Sequence, residues 1–365
     1  MKLAIEITTR PTAPRNGVRV GRAGPSFHAG FTLIELLVVV IIIGVVSIMM
    51  SPVYNDLLTA QRSAYEEKHR LNNQLIGASL MDYAAKSTKN GTLPTPFAGT
   101  VYNPADGTPA GIALRQALSQ SGITPGEINS DNTTVQKVRV YQLVTGIPQD
   151  VPLYFQTGPI VKLSYDYGAI YLTNCQKNNT SCNPNPATGV PGATSVALSS
   201  GNHSTWTTTG TDATPFFISS MPIQKAMLAT TAQRLDKVRE ALLRYLRTQQ
   251  QTAAGGDTTN WFPNQNGVGA AGSLTGKAPG TNQECRDGWY DLSDAAVKAL
   301  PAVGLSPQEF GKTAWGGTIE YCRDYDPVPT AANTPPHYAA IRINSAVTLG
   351  AAPSPTPLNN IVLTF

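Results

Sequence analysis

Charge and histidine are both scarce in this chain. Charged side chains make up 14% of its 365 residues, and the four histidines, His28, His69, His203 and His337, are scattered. No His-x-x-x-His pair exists to seat a catalytic metal on a helix, and no Gly-x-Ser-x-Gly elbow exists to expose a serine nucleophile. Gly-Ser-Leu-Thr-Gly-Lys at 272–277 lacks the first glycine of a phosphate-binding loop and has Ala278 where a hydroxyl residue is needed. Cysteine is sparse as well. Cys175, Cys182, Cys285 and Cys322 form no Cys-x-x-Cys pair and have no histidine at zinc-ligand spacing. These absences leave no catalytic constellation, and the expectation is a protein that is not an enzyme and needs no cofactor.

Of the 27 basic and 23 acidic side chains, five and one fall within residues 1–30, so the remaining 22 of each sign leave the rest formally neutral. The net charge of +4 therefore belongs to the N-terminal segment. It indicates no nucleic-acid surface elsewhere. What the chain has in quantity is glycine (32) and proline (28), with much Thr, Ser and Asn, a composition of turns and short strands.

The basic segment is followed by an apolar run from Phe31 to Met50. As a helix, twenty residues span about 30 Å, the thickness of a bilayer's hydrocarbon core. Positive charge precedes the run, which keeps the N-terminus cytoplasmic and places the rest outside. A cleaved signal peptide has a shorter core and a small-residue site after it. A plain anchor leaves Glu35 unexplained, because a carboxylate within a membrane costs several kcal/mol unless paired or protonated. An amine created by cutting between Gly30 and Phe31 would lie about one helical turn from Glu35. In staggered parallel helices, the carboxylate of one chain would meet the amine of its neighbour and set their register.

Gly30-Phe31-Thr32-Leu33-Ile34-Glu35 with its apolar run resembles the processing site of type IV prepilins and type II secretion pseudopilins. The resemblance implies that a prepilin peptidase cuts after Gly30 and N-methylates Phe31, and that Glu35 recruits the subunit and neutralises a neighbour's N-terminus. Gly44 and Pro52 resemble positions where such helices loosen in filaments. Gly lowers helix propensity and Pro removes a donor, which gives that loosening a physical basis. The thirty-residue leader is longer than is common before such a motif.

Beyond Pro52, Leu57, Ala64, Leu71 and Ala78 recur seven apart with Leu75 beside them, an apolar stripe expected to lie on a globular head. The helix is expected to end near Lys89-Asn90-Gly91. Residues 92–215 read as loops and strands, with Val135–Val144, Leu153–Phe155, Val161–Tyr167 and Ala169–Leu172 the strand candidates, a short helix around Ile112–Gln120, and exposed loops from Asn174 to Thr214. A second helix is expected from a Ser220 cap through Pro222 to about Gln250, with Leu228, Leu235, Val238, Leu242, Tyr245 and Leu246 as its apolar stripe. Ile76, Leu80, Met81 and Tyr83 match Val238, Leu242, Leu243 and Tyr245 at constant offset, a weak internal repeat. A short helix over Leu292–Leu300 and strands at Tyr338–Ile343 and Asn360–Phe365 complete the reading. Trp315-Gly316 followed by Tyr321 resembles a strand entry of pseudopilin-like heads.

The expected fold is α+β and pilin-like: a long N-terminal helix, half membrane-spanning and half amphipathic, packed on an antiparallel β head with a second helix-plus-sheet module. The expected segments are a cleaved leader (1–30), the assembly helix (31–90), a first β-rich module (91–215) and a second module (216–365). In an exported head two disulfides are expected. Four cysteines allow three connectivities, and Cys175–Cys182 with Cys285–Cys322 is favoured because each pair lies within one module. Each bridge would contribute about 2–4 kcal/mol. Asp287, Asp291 and Asp294 have a spacing that suits calcium, as in related pseudopilin heads, but turn and helix-start roles explain them more simply.

The functional expectation is a structural subunit of a type IV pilus-like filament, a minor or tip pilin that starts assembly or carries adhesion. The alternatives are a pseudopilin of a type II secretion system and a membrane-tethered extracytoplasmic binding protein. The implied partners are other pilin subunits through the N-terminal helix, prepilin peptidase and the inner-membrane assembly machinery. The implied locations are the inner membrane with a periplasmic head, then the filament at the cell surface.

Overall fold

The computed structural model describes residues 33–86, 88–94, 101–102, 112, 116, 118–120, 122, 137–154, 157–176, 196–197, 207–208, 214–264, 285–286, 288–326 and 336–365. The chain divides after Arg62 into two units. One helix, α1, runs Leu33–Ala85. Within the first unit its described side chains, from Leu33 to Arg62, are all exposed.

From Ser63 onward the chain builds two antiparallel sheets, each with a helix on one face. The first contains β1 (Val101–Tyr102), β2 (Lys137–Tyr154), β3 (Thr157–Gln176) and β6 (Phe216–Ser219), in that order. A separate two-stranded ladder, β4 (Val196–Ala197) with β5 (Thr207–Thr208), lies between β3 and β6 in the sequence. The second sheet contains β7 (Tyr290–Asp291), β8 (Glu320–Tyr325), β9 (Tyr338–Asn344) and β10 (Asn360–Thr364), again in chain order. Its helix is α2, Met221–Thr252. The described chain thus has the expected α+β architecture, with helices packed on antiparallel β structure.

The end of α1 buries Ile76, Leu80 and Ala84 against Tyr141, Leu143, Ile170 and Ile218 of the first sheet. Gly77 permits the approach, since a Cβ there would clash with the Phe216 ring. The buried face of α1 is not the expected one. Leu57, Ala64, Leu71, Leu75 and Ala78 are exposed, and His69, Asn73, Ile76 and Leu80 are buried instead. The reason lies on the sheet, where buried Arg139 donates from Nε to Asn73 Oδ1 (2.8 Å) and reaches His69 Nδ1 at 3.0 Å. A guanidinium only donates, so Nδ1 accepts. Periodicity alone does not predict a polar residue rewarded by a distant partner. The helix also stops at Ala85, short of Lys89, where a turn follows and the Gly91 amide donates to Ala84 O (3.1 Å).

The strand candidates between 135 and 172 merge into the two long strands β2 and β3, paired over most of their length. The register shifts between Val144 and Ile147, at Gly146 with φ 71°, a bulge that lets the hairpin continue through Pro148. The far end of this hairpin leaves the first core. Leu153, Val161 and Leu163 pack with Leu228, Leu235, Val238 and Leu242 of α2 and with Tyr321, Ile341, Ile343 and Ile361 of the second sheet. Lys162 N donates to Ser345 O (3.0 Å). The strand at 216–219, on the far side of the expected boundary, pairs with β3 of the first sheet through Ala169–Phe217 and Gly168–Ile218.

Two local expectations are corrected. Ser220 precedes α2 but makes no side-chain cap. Its Oγ accepts from Asp166 N (2.9 Å), and the neighbouring Ser219 Oγ accepts from Met221 N (3.2 Å). The expected helix over Leu292–Leu300 is a pair of turns followed by α3, only Ala299–Ala302. Asp291 and Asp294 divert the backbone there, accepting from Ser293 N and Ala296 N, and such side-chain bonds compete with helix. The expected short helix at 112–120 and the loops at 174–214 lie largely outside the described residues, but where the latter are described β3 runs on to Gln176 and β4 pairs with β5, so that stretch is not loop throughout.

Candidate functional site

The described residues of the first unit form an apolar helical surface that no other described residue buries. Leu33, Ile34, Leu36, Ile43, Ile48 and Met50 are each more than half exposed. Among the described residues α1 is the one helix long and apolar enough to cross a membrane. Glu35 sits in its first turn, where a carboxylate also favours the positive end of the helix dipole. Gly30 and Phe31 lie outside the described residues. The helix continues through Pro52. A Cβ added at Gly44 would meet nothing within 4 Å, so steric need does not account for glycine there. Its effect is on helix propensity, about 1 kcal/mol against alanine.

In the head, two buried polar residues tie separate segments together, and neither carries a sequence signal. Gln224, in the first turn of α2, donates from Nε2 to Asn90 O (3.1 Å) and Gly91 O (3.2 Å) and accepts from Trp315 Nε1 (2.7 Å). It joins the turn after α1 to the approach to β8. Trp315 does lie at a strand entry, in the turn before β8. Asp166 accepts from Leu93 N (2.9 Å) and Gly146 N (3.1 Å), and its own carbonyl accepts from Ser220 N (2.9 Å).

Burial raises the Asp166 carboxyl above its ordinary 3.8, although the two amide donors pull it down. The raised value means that the folded state binds this proton more tightly than the unfolded chain does. The contribution to stability is therefore complete below pH 3.8 and lost as pH rises through the folded value. The difference in melting temperature between wild type and Asp166→Asn, followed from pH 3 to 7, is expected to shift against the wild type across that window. A flat difference, or one moving the other way, would remove the assignment. The same carboxylate adds to burial in pushing the Tyr141 hydroxyl up.

The second sheet covers its far face with the disulfide Cys285–Cys322, Cα–Cα 6.0 Å, packed with Trp289, Tyr325 and Ala340. On that face Glu320 and Arg342 stand opposite each other in register. Their ion pair is 2.6 Å long, and the guanidinium lies 4.3 Å from the Trp289 ring. Cys175 lies in β3, and Cys182 is outside the described residues.

Asp287 also lies outside the described residues. Asp291 Oδ1 is engaged by Ser293 N and Oγ, and Asp294 Oδ1 by Ala296 N. Among the described residues no group of three or more metal-capable side chains converges. Asp326 pairs with Arg286 at 2.7 Å.

Comparison with protein families places one match on this geometry. Residues 26–51 match the prokaryotic N-terminal methylation motif, the signature of type IV pilin and pseudopilin prepilin-type proteins. The match covers Gly30, Phe31, Glu35 and Gly44. It stops one residue before Pro52. The motif implies processing by prepilin peptidase and assembly with other pilins. Comparison with the curated proteins and with the solved structures gives no match.

Proposed function

We propose that this chain is a minor or tip subunit of a type IV pilus-like filament. Its N-terminal helix joins the filament core, and its head starts assembly or carries adhesion. The observation that carries this reading is Glu35, an acidic residue within an exposed apolar helix directly after a prepilin-type junction. A membrane alone penalises that carboxylate, whereas a neighbouring subunit's N-terminal amine compensates it.

The size of the head favours a minor position. Each of two helices is followed by the strands of a four-stranded antiparallel sheet ordered as in the chain, and Ile76 and Leu80 of α1 are buried like Val238 and Leu242 of α2. This supports a tandem head in which one assembly helix carries two helix-plus-sheet modules, a bulky unit for dense helical packing. Leu71 and Leu75, left exposed on α1, provide apolar surface for neighbouring subunits.

The test is intact mass and N-terminal sequencing of protein recovered from sheared surface filaments. The expected result is a chain beginning at N-methylated Phe31 and lighter by the hydrogens lost to disulfide formation. A processed chain confined to the periplasm would move the assignment to a secretion pseudopilus. Retention of residues 1–30 in the membrane would overturn the filament reading in favour of a tethered protein.

A further inference from the structure

The exposed side of α2 faces a cleft of about 490 Å³ between the helix and the end of β10, lined by Arg239, Glu240, Leu243, Arg244, Arg247, Thr364 and Phe365. Its floor is fixed. Leu243 and Phe365 pack against the head core, Phe365 exchanges both backbone hydrogen bonds with Ala339, and its ring meets Phe262 edge-on at 5.9 Å.

Three guanidinium groups share this cleft with one carboxylate, Glu240. Arg239 is held by Asp236 at 3.2 Å. Among the described residues no carboxylate lies within ion-pair distance of Arg244 or Arg247. The latter two are three residues apart and therefore neighbours on the helix surface. Arg239 stands two turns from Arg247, about 12 Å along the axis. Guanidinium forks match tetrahedral oxyanions bidentately.

We propose that this cleft binds a single phosphate or sulfate ester, with Arg244 and Arg247 as the principal donors and Arg239 completing the pocket. The arginines converge on one cleft instead of tracking along a groove. The lining has one aromatic ring, Phe365, where stacked bases would need several. These features disfavour a nucleic-acid strand. The inference concerns the head alone and is independent of where in a filament the chain sits.

The experiment titrates the full-length protein in neutral-detergent micelles with inorganic phosphate, sulfate, glucose 6-phosphate and glucose 6-sulfate, beside a duplex DNA oligonucleotide. Saturable binding of the sugar esters is expected. Arg244→Gln/Arg247→Gln should weaken it by about tenfold or more, with an unchanged melting temperature, and Lys237→Gln on the same helix should leave it intact. Preference between the phosphate and sulfate esters identifies the source of the oxyanion. Binding that the double variant does not reduce, or no saturable binding of either ester, would overturn the site. DNA bound more tightly than the esters and lost in the double variant would overturn the single-ester assignment.

Discussion

Glu35→Leu is expected to remove the protein from sheared filaments while leaving its membrane-bound precursor at normal levels. The substitution makes the apolar run more hydrophobic, so insertion is favoured, by less than the ~3 kcal/mol set against a carboxylate at mid-membrane because Glu35 lies near one end of the span. What is lost is the partner for a neighbouring subunit's N-terminal amine. Leaving one member of a desolvated ion pair uncompensated costs about 3–5 kcal/mol, which corresponds to a fall in incorporation of roughly a hundredfold or more. Glu35→Gln separates charge from hydrogen bonding, and an intermediate level of incorporation is expected from it. The measurement is quantitative immunoblotting of sheared and membrane fractions from cells expressing each variant. Wild-type incorporation of Glu35→Leu would remove Glu35 from the assembly mechanism and favour a tethered protein.

Glu320→Leu is expected to be the most damaging single substitution in the head. Glu320 is fully buried, and Arg342 is 5% exposed, paired with it at 2.6 Å and stacked on Trp289. Removing the carboxylate leaves a buried guanidinium with its principal counter-charge gone, at a cost of about 3–5 kcal/mol. Glu320→Leu/Arg342→Met should recover most of that loss, because two apolar residues of similar volume satisfy the same space without desolvating a charge. Denaturant unfolding of the full chain in micelles, with the disulfide intact, measures both variants. A loss below about 1 kcal/mol for Glu320→Leu, the range of a surface pair, would show that the guanidinium finds other compensation.

The contrast between these two acidic residues illustrates what sequence can reveal. Glu35 is conspicuous because its neighbours are uniformly apolar and a fixed junction precedes it, so local pattern carries both the anomaly and its explanation. Glu320 lies in Thr-Ile-Glu-Tyr-Cys-Arg, where alternation reads it as an ordinary polar position. Only pairing with β9 shows that its face is covered by Cys285, Trp289 and the disulfide. The same reason explains the misread face of α1. The seven-residue recurrence of Leu57, Ala64, Leu71 and Ala78 is real, but Arg139, sixty-six residues beyond Asn73, determines which side is buried.

The sequence by itself determined the N-terminal helix, the prepilin-type motif at residues 26–51, the α+β class and the second amphipathic helix, because each depends on local composition or periodicity. Tertiary structure alone decided that the β2–β3 hairpin reaches from one core into the other, and that Asp166 and Gln224 bind the turns together. It also placed three arginines of α2 beside the end of β10. These features depend on contacts between residues many tens of positions apart. Whether such a polar or charged group is buried, paired or left open depends on partners that no local window contains.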